Sequence, residues 1–147
     1  MKISRTLQLV LLMLSASVAH GEDAPLRQPA NFDITVGATL YQDHCAVCHG
    51  VDLEGQPDWR IPGANGQLPA PPHDETGHTW HHGDALLFNY TRLGGQAALA
   101  QSGVEGFPSG MPAFQDMLSD QEIWNIIAFI KSTWPQRLQE IQSARTR

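Results

Sequence analysis

Cys45-Ala46-Val47-Cys48-His49 sets two thiols three positions apart with an imidazole directly after the second. That spacing attaches a c-type haem: each thiol can add to one vinyl group of the porphyrin, and the histidine then reaches the iron from the proximal side. The rival chemistries are a redox disulfide and half of a zinc site. A thioredoxin-like dithiol belongs beside a βαβ pattern, and structural zinc needs a second ligand pair at matching spacing. Cys45 and Cys48 are the chain's two cysteines, and no strand-rich pattern flanks them. One covalently attached haem is the expected cofactor.

A six-coordinate iron needs a second axial ligand, and Met111 and Met117 are the thioethers outside the first 21 residues. Met111 lies in Ser109-Gly110-Met111-Pro112, where glycine and proline make a rigid irregular turn able to aim the sulfur inward. Met117 stands just before a helix start and reads as a core filler, the commoner task of methionine. The expected axial pair is His49 and Met111, and methionine ligation raises the reduction potential relative to two histidines. No residue is read as catalytic.

A second cluster competes for chemistry: His73-Asp74-Glu75-Thr76-Gly77-His78-Thr79-Trp80-His81-His82. In one reading these loop residues pack over the haem edge, with Trp80 and a histidine donating hydrogen bonds to the propionates. In a second, His73, His78, His81 and His82 include ligands for copper or zinc, with Asp74 or Glu75 assisting. In a third, one of the four is the distal haem ligand in place of Met111. His44, beside Cys45, reads as an exposed helix-end residue.

Several short elements must position these groups. Asp33 caps a helix expected over Ile34 to His44, with Val36, Leu40 and Tyr41 near one face. Gly37 inside it costs about 1 kcal/mol relative to alanine, so close approach of another helix is its expected reason. Five glycines and five prolines fall among the thirty-one residues from Gly50 to Trp80. That density exceeds the ordinary combined usage of about 12% and reads as an irregular loop wrapped around the haem, held down by Trp59 and Trp80. Pro69-Ala70-Pro71-Pro72 is a stiff extended stretch, and one of its carbonyls is placed to accept the ring N–H of His49. A second helix is expected from Asp84, read as its N-cap, to Leu93, ended by Gly94-Gly95. Gln96 to Gly110 reads as irregular. Ser119-Asp120-Gln121-Glu122 is a capping box opening the last main helix, whose wide apolar arc from Ile123 to Ile130 needs cover on more than one side before Pro135 stops it.

The N-terminus adds a compartment. Lys2 and Arg5, an apolar run from Leu7 to Leu14, and small residues up to Ala19 read as a secretory signal peptide over 1–21, cleaved after Ala19 or Gly21. The run is too short for a membrane anchor, which needs about 20 apolar residues, and no cysteine near the cleavage region indicates a lipid anchor. The expected organisation is signal peptide 1–21, flexible leader 22–32, haem domain 33–135 and polar C-terminal tail 136–147, read as a frayed helix. Loss of the signal leaves seven basic residues against fifteen acidic ones, a formal charge of −8. Such a balance argues against nucleic acid and favours partners with basic docking patches.

From Gly37-x-x-Leu40-Tyr41 through Cys45-Ala46-Val47-Cys48-His49-Gly50, Gly110-Met111-Pro112 and Ile127-Ala128-Phe129-Ile130-Lys131, the chain resembles the monohaem class I cytochromes c, over about Thr35 to Trp134. The resemblance implies an all-α fold of about three main helices around one haem. The first and last are expected to cross near Gly37 and Phe129, with iron held by His49 and Met111. It also implies a periplasmic one-electron carrier loaded by dedicated haem assembly machinery. The segment between His49 and the second helix is longer than the family pattern. Two alternatives stand beside the carrier: a haem enzyme or gas sensor with a labile distal site, and a protein of copper handling or oxidase assembly using the histidine loop.

Overall fold

The computed structural model describes residues 26–146. The expected signal peptide and the start of the expected leader lie outside the described residues. Within them the chain is all-helical: α1 (Ile34–His44), α2 (Ala46–His49), α3 (Asp84–Leu93), α4 (Gly95–Gln101), α5 (Asp120–Ser132) and α6 (Gln136–Arg145), with a short 3-10 turn at Thr79–His81. No helix among the described residues is long and apolar enough to cross a membrane.

Asp33 caps α1 by accepting from the backbone N–H groups of Thr35 and Val36 at 2.8 and 3.0 Å. Ser119 and Glu122 form the expected capping box at the start of α5. These caps satisfy donors that helix geometry leaves free. The central packing is α1 on α5, made close by Gly37. A Cβ there would lie 2.5 Å from the Asn125 carbonyl carbon, and closer still to its oxygen. Around this crossing sit Tyr41, Ile123, Ile126, Ile127 and Trp124, all buried. Phe88 of α3 stacks on Trp124 at 4.4 Å, so α3 covers a second side of the apolar α5 arc.

Three expectations needed correction. Gln96 to Gly110 is not wholly irregular, because α4 fills its first part; Ala97, Ala98 and Ala100 carry the highest helix propensity and outweigh the glycine pair before them. The polar tail is a helix, α6, as expected, but a docked one and not a frayed one, burying Leu138 and Gln142. Asp84 is not the N-cap of α3. Gly83 takes that place, and Asp84 stands in the first turn with its carboxylate turned to other partners.

Those partners tie four segments together. Asp84 accepts from Lys131 Nζ of α5, from Gln142 Nε2 of α6 at 2.7 Å and from the Gln28 backbone N–H of the leader at 2.8 Å. Burial alone would raise its pKa, but these hydrogen bonds and the Lys131 charge outweigh that and hold it below the usual carboxylate range. The leader is further fixed where Gln121 Nε2 donates to the Asn31 carbonyl at 2.9 Å and Asp33 N–H donates to Asn125 Oδ1 at 2.9 Å.

Candidate functional site

Cys45 ends α1 and begins α2, so the two thiols and His49 sit on one tight helical turn. The backbone N–H groups of Cys48 and His49 both donate to the Cys45 carbonyl, at 3.1 and 2.9 Å. Cys45 is buried and Cys48 exposed, each a free thiol. Burial, then the nearby Cys48 charge, pushes the Cys45 thiol up to about 12. Tyr41, fully buried, closes the turn from behind by donating its hydroxyl to the Gly50 carbonyl at 3.2 Å and, more weakly, to that of His49 at 3.4 Å. Burial, then negative charge at Cys45, Glu54 and Asp74, raises the Tyr41 phenol well above its usual range, so it stays a donor.

His49 is only 6% exposed, and its Nδ1 lies 2.8 Å from the Pro71 carbonyl. A carbonyl can only accept, so Nδ1 carries the proton and Nε2 keeps a free lone pair, the tautomer a metal ligand requires. Burial lowers the His49 pKa and the Pro71 bond only partly offsets it, which favours the neutral ring. The stiff proline stretch thus supplies the expected carbonyl, held in place by Gln56 N–H to the Ala70 carbonyl at 2.8 Å and His73 N–H to the Leu53 carbonyl at 2.8 Å.

Met111 is partly buried and packs against the same hydrophobic core that holds Tyr41 and Cys45. Its loop is fixed at three points. Met111 N–H donates to Ser109 Oγ at 3.3 Å, Ser109 Oγ pairs with the Tyr90 hydroxyl at 2.9 Å, and the Met111 carbonyl accepts from Gly95 N–H at 3.1 Å. Gly94, at φ +80°, lets the loop descend onto the α3–α4 junction, where a Cβ would meet Ala113 N at 2.9 Å. The Tyr90–Ser109 pair went unread in the sequence because nothing in the spacing of those residues signals a contact. Met117 corrects an expectation: it is 60% exposed, not core.

The histidine loop is dispersed. His73 stacks on His49 and its Nδ1 bonds Thr79 Oγ1 at 2.8 Å; burial, then repulsion from His49 and His78, holds its pKa well below the usual range. His78 stacks on Trp59 at 5.3 Å, with the Arg60 guanidinium 3.9 Å from the Trp59 ring, and His81 stacks on Trp80 at 3.8 Å. Among the described residues no three His, Cys, Asp or Glu side chains converge to hold a metal ion. His78 and His82 meet edge-on at 5.2 Å between ring centroids, while His73 and His81 lie against His49 and Trp80. Trp80 packs against the core with a buried Nε1–H that has no partner, a donor that a haem propionate would satisfy.

A family model described as Cytochrome c matches residues 34–134, taking in the thiol pair, His49 and Met111. The chain belongs to the cytochrome c family. Its cofactor is covalent haem c; Cys45, Cys48 and His49 fit the attachment motif, and the buried His49, held toward its neutral form, and the orphaned Trp80 donor suit a haem. This cytochrome is 31% identical over 104 residues to the gluconate 2-dehydrogenase cytochrome c subunit of Pantoea cypripedii, a match covering 69% of this chain and 21% of that subunit. The chain thus spans about a fifth of the length of that relative. No solved structure matches the chain.

Proposed function

We propose that this cytochrome is an exported, periplasmic one-electron carrier. Its haem is attached through Cys45 and Cys48, and its iron is held by His49 on one side and Met111 on the other. The observation that supports this most is the His49 Nδ1 to Pro71 carbonyl bond at 2.8 Å, which fixes the ring in the tautomer that leaves Nε2 to the metal. Bound, the haem supplies an iron that changes by one electron. The chain's own residues keep it closed: Tyr41 clamps the attachment turn, the Tyr90–Ser109 pair steadies the Met111 loop, and Trp80 is offered to a propionate.

Val47, 85% exposed, brings the attachment turn to the surface, which suits electron exchange with a docked protein. The relative's name supports a dehydrogenase as a class of electron donor. The carrier binds no substrate of its own, and loading requires haem assembly machinery outside the cytoplasm.

Met111→Ala tests the ligand pair. The ferric wild type should show the weak far-red band of a methionine–iron bond, and the variant should lose it and bind added cyanide or imidazole faster. A band that persists in the variant would remove Met111 from the iron. A separate expectation follows from the acidic balance. Second-order electron transfer to a basic partner should slow about tenfold or more from low to molar salt, because steering is screened. Salt-independent rates would contradict docking through charge.

A further inference from the structure

We infer that His73 is a positioning residue for the electron-transfer centre: its imidazole lies on the face of His49 and fixes the plane in which that ring is presented to iron. The inference rests on the reading that His49 is an axial ligand.

The two rings are 4.0 Å apart between centroids and inclined by 24°, a stacked arrangement. The Cβ–Cγ bond and the Nδ1 hydrogen bond to the Pro71 carbonyl tether one edge of the His49 ring and leave it only a limited freedom to tilt. A flat neighbour on its face removes that freedom. His73 is itself immobile enough to act as that wall. Its N–H donates to the Leu53 carbonyl at 2.8 Å, its carbonyl accepts from Trp134 Nε1 at 2.7 Å, and its Nδ1 bonds Thr79 Oγ1 at 2.8 Å. Tyr41 stands edge-on to it at 6.1 Å. Two of these anchors are backbone groups, so replacing the side chain leaves the loop tied and isolates the ring. The orientation of an imidazole ligand decides which iron orbital it donates into. It therefore governs the anisotropy of the ferric state and contributes to the reduction potential, which ligand environment tunes.

The haem-loaded full chain tests this with His73→Ala and His73→Phe. The readouts are the paramagnetically shifted haem-methyl resonances of the ferric protein and the reduction potential. His73→Ala should reorder the methyl shifts and move the potential, and His73→Phe, which restores a flat ring, should return both toward wild type. Wild-type shifts and potential in His73→Ala would overturn the inference, as would a His73→Phe protein indistinguishable from His73→Ala. Where the alanine variant does not hold haem, His73→Leu fills the volume without a plane and carries the same two outcomes. Failure of the underlying reading looks different: the wild-type ferric protein would then lack the signature of an axial imidazole altogether.

Discussion

Gly37→Ala is expected to destabilise this cytochrome by about 3 kcal/mol or more, the upper end of overpacking costs, despite a better helix propensity. On propensity alone the change would stabilise α1 by about 1 kcal/mol, so the two considerations predict opposite signs. The new Cβ would meet the Asn125 carbonyl, a backbone group that cannot rotate aside as a side-chain tip could. Relief requires α1 and α5 to separate. That would disturb the Asp33 N–H to Asn125 Oδ1 bond and the contact of Tyr41 with Phe129, 5.4 Å between ring centroids. Because Tyr41 also clamps the haem-attachment turn, the ferric spectrum should change along with stability. Denaturant unfolding of haem-loaded protein checks the sign; an alanine variant as stable as wild type would contradict the tight crossing.

The second large effect belongs to Asp84. Asp84→Ala leaves the Lys131 ammonium, itself largely buried, without its carboxylate, and removing one partner of a buried pair costs about 3–5 kcal/mol. It also frees the Gln28 N–H and Gln142 Nε2, so the leader and α6 should loosen together and exchange their amide hydrogens faster. The pH dependence has a definite direction. The folded-state pKa of Asp84 lies below the usual carboxylate value, so its contribution is present above that value and disappears as pH falls through the depressed one. The stability gap between wild type and Asp84→Ala should therefore be full at neutral pH and narrow in acid. Replacing both members together, Asp84→Leu with Lys131→Met, should recover much of the loss, since a well-packed apolar pair avoids burying charge. A gap independent of pH would remove Asp84 as the responsible group.

The parts of this fold written in local sequence were readable in it. Asp33 and the Ser119 to Glu122 box mark helix starts, and the attachment turn follows from five consecutive residues. What stayed hidden depends on distant partners. Asp84 looked like a cap because aspartate favours that position, yet its carboxylate is taken by Lys131, 47 residues away. Polarity concealed the docking of α6: it packs through Leu138 and through Gln142, which is buried by bonding Asp84 rather than by being apolar. Proximity along the chain also misled. Four histidines within ten residues suggest one shared site, but the loop stacks His78, His81 and His73 on Trp59, Trp80 and His49, so only His78 and His82 meet, and the one that stacks on the candidate ligand serves it as a neighbour.

The closed, doubly ligated iron is tested most directly by the visible and electron paramagnetic resonance spectra of the haem-loaded ferric wild-type protein. His49 and Met111 together should give a low-spin spectrum with the far-red methionine band, unchanged by added cyanide on a short timescale. A high-spin spectrum, or a distal site that takes an added ligand at once, would contradict the carrier and point to a haem enzyme or gas sensor.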